Sequence, residues 1–521
     1  MIKVIYLISF MSLAYVYIKN VLHMFQQNRY EFYRYTKWLF SFKPYYLKTS
    51  IVYAILMIAL VFVPSVYFKN IFTVLITLGF AIYLINDESK KEYIKPLVFT
   101  ARVKRLLVLF IVTLLFIEIN LVSGFIKLIP LVGIFSIVFP YILIYPVALV
   151  MMPVEHFIKK KYENEARNIL KDNPGLIRIG ITGSYGKTTT KNIVTEILGA
   201  RYYALMTPAS YNTPMGITRT VRENLKPIHE VFVCEMGADH VNDIAYLMDM
   251  VKPKYGIVSS IGPQHLNTFG SLDNIIKEKM KEIEMLPEDG VGIINLDNEY
   301  IASYKIKNTC KIVSVGVNNP EADLIAKNVK YDKNGSSFSV KIGTKNVKFK
   351  CRLLGEHNIT NILCGIALAL EFGIETDKIV EAVENLNQVE HRLELKKING
   401  YNFIDDAFNA NPSGCMSALS TLSIMPSKRV IVTPGLIDLG EEENHYNYEF
   451  GKAMFDKTDL VILVGKKQTE WIYKGLSDAG YDMNNVIVVE KVFDAFNYIY
   501  TNLKPSDTIL LENDLPDAFN V

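Results

Sequence analysis

The chain contains the sequence Ile179-Gly180-Ile181-Thr182-Gly183-Ser184-Tyr185-Gly186-Lys187-Thr188-Thr189-Thr190, in which an apolar run leads into a glycine-rich turn that ends in Gly-Lys-Thr. Glycines allow the backbone to curl so that several N–H groups face an anion, and the N-terminus of a following helix adds positive potential. Lys187 supplies a mobile cation, and Thr188 supplies a hydroxyl that can bind Mg²⁺. The stretch therefore predicts a loop that binds the phosphates of ATP or GTP.

The spacing of this loop departs from the general phosphate-loop pattern. That pattern places its first glycine at position 181, which is isoleucine here, and Gly183 carries the turn instead. A shorter Gly-x-x-Gly-Lys-Thr-Thr loop is typical of a narrower group of ATP-using ligases. The alternative is an ordinary glycine-rich turn between a strand and a helix of a doubly wound fold.

The first 155 residues of the 521-residue chain are dominated by apolar runs. These runs are Ile5–Tyr17, Ile51–Phe68, Ile71–Ile85, Leu106–Phe125 and Leu128–Met152. Each is near the roughly 20 residues that cross a bilayer, although the first and third are short. Residues 1–155 are therefore predicted to form an α-helical membrane domain of about five spans. A cleaved signal peptide in residues 1–20 and a re-entrant third run are the alternatives.

Basic residues are concentrated in two of the connections between these runs. Segments 19–50 and 86–105 carry six lysines and arginines each, whereas Lys69 and Lys127 stand almost alone in the other two connections. Because basic loops remain in the cytoplasm more often than not, the pattern predicts an external N-terminus. It also predicts a multi-pass protein of the cell membrane with everything after Met152 in the cytoplasm.

Cysteine spacing and net charge exclude several classes of protein. The five cysteines show no Cys-x-x-Cys spacing, which argues against a zinc site and against a disulfide framework. The net charge of +3 is too small to indicate a nucleic-acid partner, and membrane topology accounts for the basic residues near the N-terminus.

The remainder of the chain is predicted to be a linker followed by two α/β domains. Residues 156–175 form the linker, with a charged helical segment that ends in Asn173-Pro174-Gly175. Short apolar runs alternate with helical patterns over 176–388, as in a parallel sheet, and polar–apolar alternation over 322–354 predicts an antiparallel hairpin at a sheet edge. A second alternating unit over 389–521 is predicted to be Rossmann-like.

An acidic residue ends the apolar run Val231–Cys234. This residue, Glu235, lies where a doubly wound sheet presents ligands, which makes it a candidate Mg²⁺ ligand beside Thr188. The alternative is a strand-terminal glutamate that caps the next helix.

Further motifs follow in order along the chain. They are Glu235-Met236-Gly237-Ala238, Gly262-Pro263-x-His265-Leu266, Asn295-x-Asp297, Gly355-x-His357-Asn358-x-x-Asn361 and Asp405-Asp406-x-x-Asn409-Ala410-Asn411-Pro412. With them, residues 176–521 resemble the Mur ligase family, closest to the MurF branch that adds D-alanyl-D-alanine to the peptidoglycan precursor. The resemblance implies a phosphate-loop central domain and a C-terminal Rossmann-like domain.

The resemblance implies a role for each matching residue. Lys187 would contact the β- and γ-phosphates, Arg392 would reach the γ-phosphate after domain closure, and Lys279 would react with CO₂ to become a carbamate. Two Mg²⁺ ions would be held by Thr188, Glu235, His265 and the Lys279 carbamate. ATP would be bound by Gly183, Ser184, Tyr185, Gly186, Lys187, Thr188, Thr189, Asn295, Asp297, His357, Asn358, Asn361, Arg392 and Asp405. Lys187, Lys279, His265 and Arg392 would be catalytic.

The substrates are implied less completely. Asn212 and Thr213 resemble the loop that binds the acyl acceptor, and Asp406, Asn409 and Asn411 resemble the region near the incoming amine. Ala407 and Phe408 stand where the MurF branch usually has serine and tyrosine. These two hydroxyls are missing, which weakens the inference about which amine enters.

The expected activity is ATP-dependent formation of an amide bond through an acyl phosphate. The partners implied are a muramoyl-peptide precursor and a D-alanyl-D-alanine-like amine. Membrane spans stand where soluble MurF enzymes carry the domain for the UDP-sugar, so the acceptor is either soluble or lipid-linked, with membrane lipid as a further partner. The alternatives are a ligase for another membrane-associated polymer and an ATP-driven transporter or flippase, for which Glu118 and Asn120 are the polar groups that stand out within an apolar run.

Overall fold

The computed structural model describes residues 2–40, 47–91, 93, 96–125, 128–332, 335–407, 412–437, 439 and 442–513. The chain divides into two compact units, of which the first is Met1–Lys161 and the second begins at Tyr162. The first unit is helical, and the second contains two β-sheets with helices.

The described residues of the N-terminal part of the chain form seven helices. They are α1 (Ile2–Gln27), α2 (Phe32–Phe40), α3 (Leu47–Val61), α4 (Val66–Ser89), α5 (Ala101–Gly124), α6 (Ile129–Val138) and α7 (Pro140–Lys171). Helix α1 is central, because its apolar window is 56% buried, compared with 22% for α4 and 28% for α5. Most of the apolar surface of α4 and α5 therefore faces outward.

Four of these helices are long and apolar enough to cross a membrane, namely those at Lys3–Gln27, Val66–Ser89, Ala101–Gly124 and Pro140–Lys171. The first and third predicted runs lie within longer helices, whereas the second and fifth runs are each divided. Pro64 separates α3 from α4, and Pro140 begins a new helix after α6. Proline has no N–H to donate and its ring clashes with the preceding turn, so both runs break there. The described residues thus contain four long and two short apolar helices, and the number of membrane spans stays a prediction.

The two polar residues noted within α5 have different surroundings. Glu118 is fully buried, and the hydroxyl of Ser136 in α6 donates to its Oε1 at 2.7 Å. Asn120 is exposed and donates to the carbonyl of Phe116 on its own helix at 2.7 Å. Glu118 therefore joins α5 to α6, in the way that polar side chains commonly link apolar helices.

The larger sheet of the second unit has nine strands in the order β2-β3-β1-β4-β5-β6-β7-β8-β9. The strands are β1 (Ile177–Thr182), β2 (Ala204–Met206), β3 (Val231–Glu235), β4 (Tyr255–Val258), β5 (Val291–Asn295), β6 (Lys311–Gly316), β7 (Leu324–Asp332), β8 (Gly335–Ile342) and β9 (Lys345–Cys351). Strands β2 to β7 are parallel, and β7 to β9 form the antiparallel edge that the sequence predicts as a hairpin.

Helices cover both faces of this sheet. They are α8 (Lys187–Leu198), α9 (Pro214–Glu223), α10 (Asp243–Val251), α11 (Leu266–Phe269), α12 (Leu272–Glu284), α13 (Glu299–Ala302), α14 (Glu356–Glu371) and α15 (Thr376–Glu384). Ile193 of α8 and Leu363 of α14 belong to the core on one face, and Leu247 of α10 and Ile283 of α12 belong to the core on the other. Burial on both faces explains why the parallel strands read as continuous apolar runs.

The smaller sheet has six strands in the order β10-β11-β15-β12-β13-β14. These are β10 (Glu394–Ile398), β11 (Tyr401–Asp406), β12 (Arg429–Thr433), β13 (Leu460–Val464), β14 (Val486–Val489) and β15 (Thr508–Glu512). Helices α16 (Pro412–Ser423), α17 (Glu443–Ala453), α18 (Glu470–Asp478) and α19 (Val492–Asn502) accompany them. Among the strands that the structure describes here, β10 pairs antiparallel with β11 and the other pairs are parallel.

All five cysteines of the chain are buried thiols. Four belong to the part of the second unit that contains the larger sheet, and Cys415 lies on α16. Burial raises the pKa of Cys364 to about 12, so this thiol is un-ionised at physiological pH.

Helices α17 and α18 approach closely because glycines lie at their contact. A Cβ at Gly451 would lie 2.2 Å from the carbonyl oxygen of Ile472. The end of a side chain could move away from such a clash, but a backbone carbonyl group cannot do so easily. We expect Gly451→Ala to lower the free energy of unfolding of this domain by about 1–3 kcal/mol. Urea unfolding followed by the fluorescence of Trp471 on α18 measures the loss. Gly175→Ala, where a Cβ meets nothing within 4 Å, is the control, and equal stability of the two variants would contradict the expectation.

Candidate active site

The phosphate loop connects β1 to α8 and packs against the loop after β4. Gly186 caps α8 with a φ of 78°, a left-handed conformation that favours glycine. A Cβ at Gly183 would lie 2.3 Å from Oγ of Ser259, so this position admits only glycine without rearrangement. The Ser184 hydroxyl donates to the Gly262 carbonyl at 2.9 Å, and this contact stabilises the loop without a ligand.

Lys187 is held over the loop by two of its carbonyl groups. Its Nζ donates to the oxygens of Gly183 at 2.7 Å and Ser184 at 2.9 Å. Desolvation lowers its pKa to about 8, and the nearby Glu235 carboxylate opposes this effect. The ammonium group is therefore placed at the loop, where a phosphate would supply an anionic partner.

Glu235 ends β3 beside α8, in agreement with its predicted position. Its side chain is buried, and Oε2 lies 3.1 Å from Nζ of Lys191. The Asn212 amide donates to Oε1 at 3.0 Å. Lys191 is a residue that the sequence reading missed, because a lysine one turn beyond Lys187 looks like an ordinary solvated helix residue.

His265 and Lys279 lie on the same side of the site as Glu235. Nε2 of His265 is 3.2 Å from Oδ1 of Asp239, and Nζ of Lys279 donates to the Ala238 carbonyl at 3.3 Å. Desolvation, followed by the charge of Lys187, lowers the pKa of Lys279 to about 7, whereas Asp239 opposes the shift. Asp239 was also missed, although it follows Glu235 by four residues, in the loop after β3.

The donor set suits Mg²⁺, which prefers hard oxygen ligands. The Thr188 hydroxyl, the Glu235 carboxylate and the Asp239 carboxylate provide oxygens, and His265 provides a nitrogen. Lys279 fits a metal site only after its amine is converted to an anion, because an ammonium group repels a cation. The residue types therefore suit Mg²⁺. In this structure both carboxylate oxygens of Glu235 are bound, Oε2 by Lys191 and Oε1 by Asn212. One Mg²⁺ at Thr188 and Glu235, and a second ion at modified Lys279, stay predictions.

Beneath this cluster, Glu282 of α12 is fully buried, and neither of its carboxylate oxygens has a hydrogen-bond partner among the described residues. Burial raises its pKa from 4.5 to about 8. Between these values the unfolded chain releases a proton that the folded chain keeps, so the group lowers stability progressively as pH rises through this window.

We therefore expect Glu282→Gln to be more stable than the wild type at pH 8, by up to about 4 kcal/mol, and nearly equal to it at pH 5. Urea unfolding at the two pH values measures the difference. Glu288→Gln, at an exposed position, is the matched control. A stability difference that does not change with pH would rule out ionisation of Glu282 as its cause.

A cavity of about 270 Å³ adjoins the phosphate loop. Its lining includes these residues from the predicted ATP and amine regions: Tyr185, Gly186, Thr189, Asn295, Asp297, His357, Asn361, Arg392 and Asp406. Ser417 of α16 also lines the cavity, and its Oγ lies 2.6 Å from Nδ1 of His357. The cavity thus brings together residues that are more than 200 positions apart in the sequence.

Asn361 offers an unused donor to this cavity. Its Oδ1 accepts from the Thr190 hydroxyl at 2.9 Å, but its Nδ2 has no hydrogen-bond partner among the described residues, although the side chain is buried. Desolvation and the charge of Arg392 lower the pKa of His357 to about 4, so its ring is neutral at physiological pH. A polar lining with an unpaired donor fits a nucleotide.

Other predicted nucleotide residues have structural roles in the fold. Asp297 accepts from three consecutive backbone amides, of which Val317 is the nearest at 2.6 Å. Asn295 donates to the Ser259 carbonyl at 2.9 Å. Asn358 lies outside the cavity lining and donates to the Leu354 carbonyl at 2.7 Å. Asp297 and Asn295 therefore shape the cavity wall, whereas Asn358 anchors the start of α14.

Arg392 lies in the connection between the two sheets, between His391 with a φ of 57° and Leu393 with a φ of 48°. Burial lowers the pKa of Arg392, and three carboxylates oppose this shift, those of Asp406, Glu235 and Glu512. Arg392 thus lies in the field of carboxylates from both domains, and its contact with the γ-phosphate stays a prediction.

Asp405 and Asp406, at the end of β11, have different surroundings. Asp405 lies outside the cavity lining and is bound by His391 at 2.7 Å and Lys396 at 2.8 Å. Asp406 lines the cavity, and burial raises its pKa to about 6. It pairs in register with Glu512 of β15, a buried carboxyl that the sequence reading missed. Asp405 is thus separated from the cavity lining, and its contact with ATP stays a prediction.

The predicted substrate residues are described only in part. Thr213 caps α9 by accepting from the Gly216 amide at 3.3 Å, and Asn212 contacts Glu235 as described above. Asn409 and Asn411 lie outside the described residues.

Comparison with known families gives two matches that cover most of the second unit. The model of the Mur ligase middle domain matches residues 181–369, and the model of the Mur ligase glutamate ligase domain matches residues 391–512.

Curated relatives agree with these matches. A UDP-N-acetylmuramoyl-tripeptide--D-alanyl-D-alanine ligase of Mycobacterium tuberculosis is 31% identical over 361 residues, which cover 65% of this chain and 70% of the relative. The ligase of the same name from Escherichia coli is 30% identical over 292 residues, or 56% of this chain and 64% of the relative. The chain thus spans less than two thirds of the length of the Escherichia coli relative.

Solved structures share the fold. The MurF ligase of Thermotoga maritima in complex with ADP superposes with a TM-score of 0.62 at 22% identity, over 70% of this chain and 81% of that one. A MurF crystal structure from Acinetobacter baumannii gives a TM-score of 0.61 at 24% identity, over 68% of this chain and 77% of that one. With both domain models and the mycobacterial relative in agreement, the chain belongs to the Mur ligase family.

Proposed function

We propose that the protein is an ATP-dependent, ADP-forming ligase that joins an amine to the carboxylate of a muramoyl-peptide cell-wall precursor. The observation that carries the proposal is the cavity of about 270 Å³ beside the phosphate loop, which is lined by Gly186, Asn361 and Arg392. The carboxylate of Glu235 acts electrostatically on both Lys187 and Arg392. The names of the relatives support a D-alanyl-D-alanine-like amine.

The chemistry requires activation of the acceptor, because a carboxylate is a poor acyl donor. A carboxylate oxygen attacks the γ-phosphorus of ATP, which releases ADP and leaves an acyl phosphate. The amine then attacks the acyl carbon, phosphate leaves, and the nitrogen loses a proton. Lys187 and Arg392 offset charge on the transferring phosphoryl group, and Mg²⁺ at Thr188 and Glu235 would neutralise phosphate oxygens. No covalent enzyme nucleophile is needed.

Lys279 is suited to carbamylation, which we include in the proposal. A lowered pKa of about 7 leaves much of its amine neutral near that pH. The neutral nitrogen attacks the carbon of CO₂ and loses a proton, so a cation becomes an anion. The new carboxylate would lie close to Asp239 and His265 and would support a second Mg²⁺.

We further propose that residues 1–155 anchor the protein in the cell membrane, with its catalytic domains in the cytoplasm. The outward-facing apolar surface of α4 and α5 supports this placement. An acceptor that is lipid-linked would then be confined to the same surface as the enzyme.

Phosphate release by the detergent-solubilised full chain tests the ligase proposal. ATP and Mg²⁺ are combined with D-alanyl-D-alanine or other amino acids, and with soluble or lipid-linked muramoyl peptides. Release that requires both an amine and an acceptor, with a product mass equal to their condensation, is the expected result. Release that requires neither would contradict the ligase and favour transport. Full efficiency on soluble UDP-muramoyl tripeptide with no use of lipid-linked analogues would contradict the lipid-linked acceptor.

Topology is tested with thiols introduced at two exposed positions. Tyr67→Cys lies at the start of α4, and Lys90→Cys lies just after its end. We expect a membrane-impermeant maleimide to label position 67 in spheroplasts and position 90 only after permeabilisation, because basic connections remain inside. The opposite pattern would invert the proposed topology.

A further inference from the structure

Lys191 is a fully buried lysine with two partners from different parts of the site. It lies on α8 one turn after Lys187, and its side chain has no exposed surface. Its Nζ donates to the carbonyl oxygen of Ala209 and lies 3.1 Å from Oε2 of Glu235. A single ammonium group thus joins the end of β3 to the loop that follows β2.

That loop, residues 207–213, is called the acceptor loop here because it contains Asn212 and Thr213. It is attached to β3 at further points. Asn212 donates from Nδ2 to Oε1 of Glu235 at 3.0 Å and accepts at its carbonyl from the Gly237 amide at 2.8 Å. The Glu235 amide donates to the Thr207 hydroxyl at 3.1 Å. Both carboxylate oxygens of Glu235 are therefore bound by groups that hold the acceptor loop.

The backbone of the loop depends on these contacts. Ala209 has a φ of 42°, a left-handed conformation that costs energy for a residue with a Cβ. A Cβ at Gly237 would lie 2.7 Å from Cγ of Asn212, so glycine leaves the space that the Asn212 side chain occupies. A buried ammonium group is stable only where its partners are present together. Lys191, Ala209 and Glu235 therefore form one interdependent unit.

We propose that Lys191 is a positioning residue that, with Asn212, couples the acceptor loop to Glu235, so that binding of Mg²⁺ and nucleotide at Glu235 orders the loop for the acyl acceptor. The proposal rests on the proposed ligase function for the identity of the loop and of the metal ligand. Groups that hold a metal ligand orient it for the ion, and their loss commonly weakens metal binding. Here the same groups also hold a substrate loop.

Hydrogen exchange of the full chain, with and without Mg²⁺ and ADP, tests the coupling. In the wild type we expect the ligands to slow exchange in the phosphate loop, residues 183–188, and in the acceptor loop. In Lys191→Met the phosphate loop should still be protected, while the acceptor loop should show no slowing. Lys191→Arg retains the charge and should restore part of the effect. Lys254→Met, which removes an exposed lysine paired with Asp289, is the matched control and should behave as the wild type.

Mn²⁺ binding, followed by electron paramagnetic resonance in the presence of ADP, supplies a second readout without turnover. We expect Lys191→Met to bind Mn²⁺ about 10- to 100-fold more weakly than the control. If Lys191→Met does not fold, Asn212→Ala removes the other tie to Glu235 and should also abolish protection of the acceptor loop.

The outcomes separate this inference from the ligase proposal. Protection of the phosphate loop without protection of the acceptor loop in the wild type would overturn the coupling and leave nucleotide binding intact. Equal protection of both loops in Lys191→Met and the wild type would likewise overturn it. Absence of protection in both loops of the wild type would contradict nucleotide binding, and with it both proposals.

Discussion

Replacing Lys187 by methionine is expected to lower kcat/KM for ATP-dependent phosphate release by about 10²–10³-fold. The ammonium group is held over the phosphate loop by the carbonyls of Gly183 and Ser184. Methionine retains most of the side-chain volume but removes the charge that would offset the transferring phosphoryl group. Initial rates at saturating amine and acceptor measure the effect.

Lys254→Met is the control for the loss of a lysine elsewhere on the same domain, and its rates should match those of the wild type. Nucleotide affinity should also fall in Lys187→Met, because a charge-assisted contact to phosphate is lost. Unchanged turnover in Lys187→Met would mean that the loop does not serve the reaction proposed for it.

Lys279→Ala is expected to reduce turnover by at least about 10²-fold, since removal of a group that stabilises developing charge has effects of this size. If the active form is a carbamate, alanine removes an anion next to Asp239 and His265. Acetate or another short carboxylate that enters the vacated space should then restore part of the activity. Removal of dissolved CO₂ should lower the activity of the wild type, and added bicarbonate should restore it.

Lys277→Ala provides the matched control, because Lys277 is exposed on the same helix. It should be fully active and insensitive to acetate. Loss of activity in Lys279→Ala without rescue, together with a wild type that is insensitive to CO₂, would show that Lys279 acts as an unmodified amine.

The fold of the catalytic part could be predicted largely from the sequence, because its signals are local. Apolar runs in the sequence correspond to strands such as β13 and β14. The polar–apolar alternation after residue 322 correctly indicated the antiparallel edge. Strand β10 was not predicted, because it is amphipathic, short and stabilised by pairing with β11 rather than by a run of its own.

The helices of the first unit were harder to delimit. Hydropathy averages over a window and therefore overlooked the breaks at Pro64 and Pro140. A proline alone does not decide where a helix ends, since Pro146 and Pro153 lie inside α7. The apolar runs consequently predicted the presence of these helices better than they predicted the length of each helix.

Residues of the candidate site could be predicted where they belong to a sequence motif. They could not be predicted where their relevance depends on a contact in the folded structure. The loop residues, Glu235 and Arg392 belong to recognisable patterns, and the structure places them around one region. Asp239, Ser417 and Glu512 become relevant only through neighbours that are distant in sequence, and no single-chain pattern distinguishes them from surface or core residues. The separation of Asp405 from the cavity has the same origin, because the nearby basic groups His391 and Lys396 bind it elsewhere.

The reactivity of the buried thiols can report local unfolding of this protein. A water-soluble disulfide reagent can reach them only when the surrounding structure separates, so the rate of modification reports local unfolding rather than surface chemistry. Cys415 on α16 reports the smaller sheet, and Cys364 on α14 reports the larger one. The order in which they are modified would reveal which domain loosens first under heat or denaturant, without the introduction of any label.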